Sequence, residues 1–223
     1  MPSLETSLHV DMLWRGKRSR SLLQRLRNAA DALFKNDIYG LEWGDPDKVP
    51  PLRYVREHFL TPYVSPTTSV VEIGPGGGRW TRYMMGAKHI YAVDYHQELL
   101  DTLKTNLGSH GLTFIRNNGD DFPGVAPGSI DFVFSFGAFV HLDIDIIDRY
   151  LANIKPLLKA GANVVIHYSD KTKPLGKNNK GFSENDPEKM IALVKSHGYT
   201  IYEEDRGTLW HSSVVRFGLD PAA

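Results

Sequence analysis

The sequence predicts an α/β fold with a seven-stranded, mostly parallel sheet, a last strand that runs antiparallel, and helices on both faces. After Pro66, short β-branched runs alternate with helix-length segments, which is typical of parallel strands joined by crossover helices. The last two runs are joined by Asp205–His211, a link too short for a helical crossover, so these strands should pair antiparallel. Before Pro66 the apolar spacing is helical, which predicts an N-terminal helical extension.

The extension consists of two helical patterns. Apolar residues recur at helical spacing over Ser21–Phe34, and a second helical pattern begins near Pro51, after the glycine- and proline-containing stretch Tyr39–Pro46. A segment of this length holds little core of its own, so we assign residues 1–65 to a helical cap and residues 66–223 to the main domain. The predicted strands are Ser69–Ile73, His89–Val93, Thr113–Arg116, Ile130–Phe136, Asn163–Tyr168, Thr200–Glu204 and Ser212–Phe217.

The composition excludes several classes of function. Lysine and arginine number 26 and are balanced by 26 aspartate and glutamate residues, which disfavours nucleic acid as a partner. The absence of cysteine removes disulfides, thiolate nucleophiles and cysteine-ligated metals, and it favours a cytoplasmic location. Neither a signal peptide nor an apolar run of ~18 residues is visible, so no membrane attachment is predicted. The oligomeric state is not predicted by any of these features.

A glycine-rich turn follows the first predicted strand. The strand ends at Ile73 and leads into Gly74–Gly78, where glycine lets the backbone approach a ligand closely. The residues from Trp80 to Met85 are expected to open the next helix. A dinucleotide site of the G-x-G-x-x-G type needs a small residue at the position that Arg79 occupies, so that pattern fails. Taken alone, the turn is equally compatible with a tight loop.

The second predicted strand ends in an acidic residue. Asp94 stands 20 residues after Gly74, where open α/β sheets present a carboxylate to a ribose. Hydrogen bonds from both ribose hydroxyls to that carboxylate would be charge-assisted, and Tyr95 is placed to pack on an adenine. The alternative is that Asp94 caps the helix that contains Leu99 and Leu100.

The pattern Glu72-x-Gly74-x-Gly76-x-Gly78 resembles the first motif of the class I S-adenosylmethionine-dependent methyltransferases, and the resemblance extends over Ser69–Phe217. It implies a Rossmann-like fold, S-adenosyl-L-methionine as the cofactor and S-adenosyl-L-homocysteine as the product. Glu72 is the candidate carboxylate for the positive charges of the cofactor. The candidate cofactor-binding residues are Glu72, Gly74, Pro75, Gly76, Gly78, Trp80, Thr81, Asp94, Tyr95, Asn118, Gly119, Asp120, Asp121, Phe122, Ser135, Phe136 and Gly137.

In this family the loop after the fourth strand borders the transferred methyl group. His141 lies in that loop and is the candidate base for a hydroxyl acceptor, although a histidine there can also simply bond backbone or solvent. Members that methylate nucleobase amines carry an Asp/Asn-Pro-Pro-aromatic element where this chain has Ser135–Ala138, which argues against that reaction. His167 and Tyr168, at the end of the fifth strand, are second-rank candidates for the acceptor site.

Two further segments are expected near the acceptor. Trp43 either forms part of a lid over the pocket or anchors the extension on the sheet. The polar stretch Lys171–Glu188 is expected to be an exposed loop beside the pocket. His141, Asp143 and Asp145 would diverge on a helix, so no metal site is predicted.

Together these features predict a methyltransferase that acts on an oxygen atom of a small hydroxylated molecule, such as a sugar or a secondary metabolite. The alternatives are a protein or amine N-methyltransferase, for which no base is needed, and a catalytically silent cofactor-binding partner subunit. An NAD-dependent oxidoreductase would make the opposite ligand prediction, which a thermal shift with both cofactors distinguishes.

Overall fold

Seven strands form one sheet in the computed structural model of the chain, which describes residues 40–220. The strands are β1 (Ser69–Ile73), β2 (His89–Asp94), β3 (Leu112–Arg116), β4 (Ile130–Ser135), β5 (Leu158–Ser169), β6 (Thr200–Asp205) and β7 (Ser212–Gly218). Their order across the sheet is β3-β2-β1-β4-β5-β7-β6. The pairs β1–β2, β1–β4, β2–β3 and β4–β5 are parallel, and β7 runs antiparallel to both β5 and β6. The predicted fold class is therefore confirmed.

The strand order determines where a ligand can bind. The chain leaves β1 toward one side of the sheet and returns through β4 on the other, so the order reverses between these two neighbours. Loops after β1 and β4 therefore separate at the carboxyl edge and leave a crevice between them, which is where open α/β sheets bind ligands.

The fifth strand is longer than predicted. It spans Leu158–Ser169, whereas the apolar pattern indicated only Asn163–Tyr168. Leu158 pairs with Ile130 ahead of a shift in register, and Gly161 adopts a φ of 74°, which glycine tolerates without strain. The irregular start of this strand interrupts the alternation of apolar and polar residues on which the sequence prediction rested.

Five helices flank the sheet in the described part of the chain. They are α1 (Pro50–Val55), α2 (Gln97–Leu107), α3 (Ile144–Ile154), α4 (Pro174–Asn178) and α5 (Pro187–Ser196). The first continues as a π-helical turn over Arg56–Leu60. Helix α5 begins where Asp186 accepts a hydrogen bond from the amide of Lys189, with Pro187 at the first helical position. None of the helices among residues 40–220 is long and apolar enough to cross a membrane.

The core lies on both faces of the sheet. On one face, α3 contributes a buried apolar stripe to the same cluster as Val71 and Ile73 of β1. On the other face, Val55 and Phe59 pack in one cluster with Val70 of the same strand. The second helical pattern of the extension thus packs directly on the sheet. The helix predicted over Ser21–Phe34 lies outside the described residues, and the domain boundary after residue 65 stays a prediction.

Two local predictions were wrong. The segment from Trp80 to Met85 does not open a helix and forms only a short 3-10 turn over Thr81–Tyr83. The stretch Lys171–Glu188 is not simply an exposed loop, since it contains α4 and buries Ser183 and Asn185.

The buried polar residues of this stretch are satisfied by backbone partners. The amide of Ser183 donates to the carbonyl of Val140, and the side chain of Asn185 donates to the carbonyl of Leu142 at 3.0 Å. These hydrogen bonds fasten the polar stretch to the loop after β4. The polar residues Ser183 and Asn185 therefore bond backbone carbonyl groups and are not exposed to solvent.

Candidate active site at the carboxyl edge of the sheet

A cavity of about 420 Å³ opens at the carboxyl ends of β1, β2 and β4, within the range of small-molecule sites. The loop after β1 forms its floor, and the loop after β4 and the stretch around Phe182 form the opposite wall. Gly40, Trp43 and Leu52 contribute from the segment that precedes the sheet. The cavity therefore lies in the crevice that the strand order predicts.

The glycine turn after β1 is held in a conformation that requires glycine. Gly74 has a φ of 71°, and Gly76 and Gly78 have φ values of 56° and 99°. A Cβ atom on Gly74 would lie 2.5 Å from the Cβ of Ala138 in the loop after β4. The missing side chain thus allows the two loops to approach each other at the floor of the cavity.

Glu72 lies behind the glycine turn and does not line the cavity itself. Its side chain is buried, and the hydroxyl of Thr81 donates to Oε2 at 2.6 Å. Burial raises the pKa of Glu72 from the ordinary value of 4.5 to about 8, with a smaller raising contribution from Asp94 and a lowering one from Thr81. The carboxyl group is therefore strongly sensitive to any positive charge brought near the turn.

The raised pKa of Glu72 predicts how the free energy of unfolding depends on pH. Because the folded protein holds this proton up to about pH 8 and the unfolded chain releases it near 4.5, stability should fall as the pH rises through this interval. The full loss corresponds to roughly 5 kcal/mol. Glu72→Gln removes the ionisation while it keeps an acceptor for Thr81. We expect this variant to be more stable than the wild type at pH 8.5 when both are unfolded with urea without ligand.

The matched control is Glu98→Gln, which removes a carboxylate from the exposed face of α2. This variant should leave the dependence of stability on pH unchanged. If the wild type and Glu72→Gln lost stability in parallel over the interval from pH 5 to pH 8, the assignment of the buried proton to Glu72 would be wrong.

Asp94 lies at the end of β2 and lines the cavity. It is 7% exposed, and its Oδ1 accepts a hydrogen bond from the amide of His96 at 2.9 Å. Helix α2 begins at Gln97 with His96 in the position of the cap, so Asp94 does not cap the helix. Tyr95 lines the rim beside it and is 37% exposed. Both residues line the cavity, and their contacts with a ribose and an adenine stay predictions.

The structure brings about half of the predicted cofactor residues to the cavity. Those that line it are Gly74, Pro75, Gly76, Trp80, Asp94, Tyr95, Gly119, Phe136 and Gly137. Those that do not are Glu72, Gly78, Thr81, Asn118, Asp120, Asp121, Phe122 and Ser135. Several of the second group have partners elsewhere: Asp120 pairs with Arg149, and the hydroxyl of Ser135 donates to the carbonyl of Ile73. Of the loop after β3, only the backbone at Gly119 reaches the site.

One buried donor lies beneath the wall of the cavity. The indole of Trp80 is 3% exposed and lines the cavity. Within residues 40–220, its buried Nε1 has no hydrogen-bond partner, so the ring meets the cavity with its carbon atoms and not with its donor. The polar groups that line the cavity, Asp94 and the backbone of the glycine turn, have the chemistry that a polar nucleoside needs.

The half of the cavity away from Asp94 is aromatic. The ring of Phe136 stacks on His167, with centroids 3.9 Å apart, and lies 4.4 Å from the indole of Trp80. Phe182 meets the rings of His141 and His211 edge to face, at 5.6 and 5.3 Å. Aromatic walls of this kind bind flat, apolar ring systems. The ring nitrogens of His141, His167 and His211 supply polar groups beside them.

His141 lies in a 3-10 turn over Phe139–His141, ahead of α3, and lines the cavity. Its Nδ1 lies 2.6 Å from the carbonyl oxygen of Gly181, and a carbonyl can only accept, so Nδ1 carries a hydrogen. In the neutral ring the lone pair is then on Nε2. Within the described residues there is no cluster of three or more histidines and carboxylates that could hold a metal.

His167 and Tyr168 point to opposite faces of β5, as successive residues of a strand must. The ring of His167 lines the cavity, where burial and the neighbouring His211 hold its pKa well below the ordinary value. The hydroxyl of Tyr168 donates to Glu204 at 2.8 Å, and its ring is part of the core away from the site. The structure thus places His167 in the wall of the cavity and Tyr168 outside it, and the acceptor role of His167 stays a prediction.

Trp43 is at the rim of the cavity and 58% exposed, so it does not act as a buried anchor. Its carbonyl accepts a hydrogen bond at 3.1 Å from Arg79, a residue that lines the cavity but was not among the sequence candidates. Phe182 and His211 were also missed. The polar stretch that contains Phe182 was expected beside the acceptor, whereas nothing in the link between β6 and β7 marked His211 as a site residue.

Comparisons with known proteins agree with this geometry. The family model for the methyltransferase domain matches residues 70–161. An S-adenosylmethionine-dependent methyltransferase from Mesorhizobium loti superposes with a TM-score of 0.66 at 14% identity, covering 78% of this chain and 99% of that one. The methyltransferase CcbJ from Streptomyces caelestis gives 0.64 at 13%, covering 80% and 99%. One from Aquifex aeolicus gives 0.59 at 19%, covering 82% and 93%. At these identities the structural likeness establishes the fold. No curated protein sequence matches at a significant level.

Proposed function

Because residues 70–161 match the family model of a methyltransferase domain, we propose that the chain is a class I S-adenosylmethionine-dependent methyltransferase and that it methylates a hydroxyl oxygen of a small molecule, with His141 as the base. The observation that carries this proposal is the hydrogen bond between Nδ1 of His141 and the carbonyl of Gly181. It leaves the lone pair on Nε2 of a ring that lines the cavity, which is the state that a general base requires.

The cofactor end of the site is proposed to lie between the glycine turn and Asp94. Asp94 would accept hydrogen bonds from the ribose hydroxyls, and Tyr95 would cover the adenine. The open backbone at Gly74 and Gly76 would lie against the methionine portion. Glu72, one layer behind the turn, is protonated up to about pH 8 in the free protein, and the ammonium group of the bound cofactor would favour its ionised form.

When bound, S-adenosyl-L-methionine supplies a methyl group on a positively charged sulfur atom. The residues of this chain would hold the acceptor beside the cofactor and receive the proton of its hydroxyl group. His141 would take that proton on Nε2, and the Gly181 carbonyl would stabilise the resulting imidazolium through Nδ1. The products are the methylated acceptor and S-adenosyl-L-homocysteine.

A small acceptor with a flat ring fits the walls of the cavity. Phe136 and Phe182 present aromatic surface at the end where His141 lies, and Trp43 stands at the rim. The segment before the sheet would form the cover over this end, since Trp43 and Leu52 both line the cavity. This arrangement supports a cap formed by residues 1–65 over a methyltransferase domain of residues 66–223.

An assay with paired acceptors tests the proposal. The purified protein is incubated with S-adenosyl-L-methionine and with ring compounds that differ only in carrying a hydroxyl or an amino group. S-adenosyl-L-homocysteine and the methylated ring are measured by mass spectrometry. We expect turnover with hydroxylated members of the panel. Turnover confined to amines or peptides would instead support N-methylation, and cofactor binding without any turnover would support a silent partner subunit.

A further inference from the structure

Three side chains from two separate parts of the chain, β5 and the start of β7, form a hydrogen-bonded line at the aromatic end of the cavity. The amide of Gly137 donates to Nδ1 of His167 at 3.1 Å. Nε2 of His167 lies 2.6 Å from the hydroxyl of Ser212, and that hydroxyl lies 2.7 Å from Nδ1 of His211. His167 and Ser212 are buried, whereas His211 is half-buried and lines the cavity. We call this set the histidine–serine line.

Two observations determine the direction of the bonds in the line. A backbone amide can only donate, so Nδ1 of His167 carries a lone pair, and the neutral ring has its hydrogen on Nε2. That hydrogen is donated to Ser212. The buried serine hydroxyl has no other acceptor among the described residues, so it donates its own hydrogen to Nδ1 of His211. If Ser212 donated to Nε2 of His167, neither nitrogen of that ring would carry a hydrogen. The ring would then be an imidazolate anion, which does not form at physiological pH.

From this direction we propose that His211 binds the methyl acceptor by donating the Nε2 hydrogen to an oxygen atom, with Ser212 and His167 acting as positioning residues. Since Nδ1 receives the serine hydrogen, a neutral His211 must carry its hydrogen on Nε2. No group in the described part of the chain bonds this nitrogen, and it is not among the buried polar atoms. It therefore meets the cavity or its solvent.

This proposal rests on the proposed function in one respect only, which is that the molecule receiving the hydrogen bond from His211 is the methyl acceptor. His141 has a lone pair on Nε2 and His211 has a hydrogen there, and both rings contact Phe182. An acceptor with a hydroxyl for His141 and a second oxygen for His211 satisfies both at once. The substrate class that fits is a ring that carries a hydroxyl and a separate carbonyl, ether or hydroxyl oxygen. An aromatic ring with a single hydroxyl leaves the second contact unmade.

The position of His211 is reinforced by the backbone around it. The ammonium of Lys173 donates to the carbonyl of Leu209 at 2.8 Å and to that of Ser212 at 2.6 Å, on either side of the histidine. Burial and the charge of Lys173 also lower the pKa of His211, which keeps the ring neutral. A Cβ on Gly176 would lie 2.6 Å from the carbonyl oxygen of His211, so α4 is packed against this loop. These contacts therefore hold the turn that carries His211 in one position.

Nuclear magnetic resonance of the histidine rings tests the line without any acceptor. In protein labelled with ¹⁵N, the long-range correlations of each ring show which nitrogen carries the hydrogen. We expect His167 and His211 to carry it on Nε2 and His141 to carry it on Nδ1. Ser212→Ala removes the donor to His211, and in this variant we expect His211 to populate both tautomers and to take up a proton at higher pH. His141 should be unchanged.

Two variants separate positioning from packing. Ser213→Ala removes a neighbouring buried hydroxyl, bonded to Asp170 on the other face of β7, and should leave the tautomers of His211 unchanged. Ser212→Thr keeps the hydroxyl and should retain the Nε2 form. If His211 in the wild type carried its hydrogen on Nδ1, or if Ser212→Ala left its tautomer unaltered, the proposal would be overturned. Because no substrate is present, this result is independent of whether the hydroxyl acceptor is found.

Discussion

Replacing His141 with alanine is expected to lower the turnover number for a hydroxylated acceptor by about 10²–10⁴-fold, the usual contribution of a general base. The affinity for S-adenosyl-L-homocysteine should change little, since the ring lies at the aromatic end of the cavity, away from Asp94. Single-turnover rates at saturating acceptor measure the first quantity, and titration calorimetry measures the second. A loss of rate at constant cofactor affinity identifies a group that acts on the acceptor.

Two comparisons make this experiment decisive. His110→Ala removes an exposed histidine from the turn before β3 and should behave like the wild type. Acceptors with more acidic hydroxyl groups need less help from a base, so the deficit of His141→Ala should shrink as the acceptor pKa falls. An equal deficit for all acceptors would show that His141 only orients the substrate.

Replacing Asp94 with alanine is expected to weaken the binding of S-adenosyl-L-homocysteine by roughly 10²-fold. Two hydrogen bonds to a charged carboxylate are lost, each worth about 1.5–3 kcal/mol when intact, and part of this is recovered by water. Asp94→Asn keeps the acceptor for the amide of His96 and should show a smaller loss. Titration calorimetry with the purified variants gives the ratio of dissociation constants directly.

The control for this variant is Asp101→Ala, which removes an exposed carboxylate from α2, about one turn after the helix begins. It should leave the affinity unchanged. A dissociation constant for Asp94→Ala equal to that of the wild type would show that the ribose is bound elsewhere. In that case the nucleoside site derived from the second strand would have to be abandoned.

The prediction for Asp94 depends on local sequence information. Asp94 was found from its spacing after Gly74, because the end of a buried parallel strand leads directly to the carboxyl edge of the sheet. Strands β1 and β2 pair in parallel from Ser69 with His89 to Ile73 with Val93, so Gly74 and Asp94 follow the last pair at the same edge. Local patterns determine which residues lie at that edge, since each strand needs only its own apolar run and the turn that follows.

Side chains that reach the cavity from longer connections were harder to predict. Asn118, Asp120 and Asp121 stood where the family places adenine contacts, yet the structure directs Asp120 to Arg149 and Asp121 to the amide of Asn118. These polar groups bind one another because partners only a few residues away, or on the adjacent helix, are available at little cost in entropy. The choice between a local partner and a ligand is made by packing.

The sequence alone determined three features at one edge of the sheet: a glycine turn after β1, an acid at the end of β2 and a histidine after β4. Only the tertiary structure decided that Glu72 lies behind the turn, that Tyr168 faces the core, and that His211 joins His167 through Ser212. The physical reason is the distance along the chain over which each feature is determined. Apolar periodicity is a local property of the chain, whereas His167 and His211 meet only because β7 inserts antiparallel beside β5 and joins residues 45 positions apart.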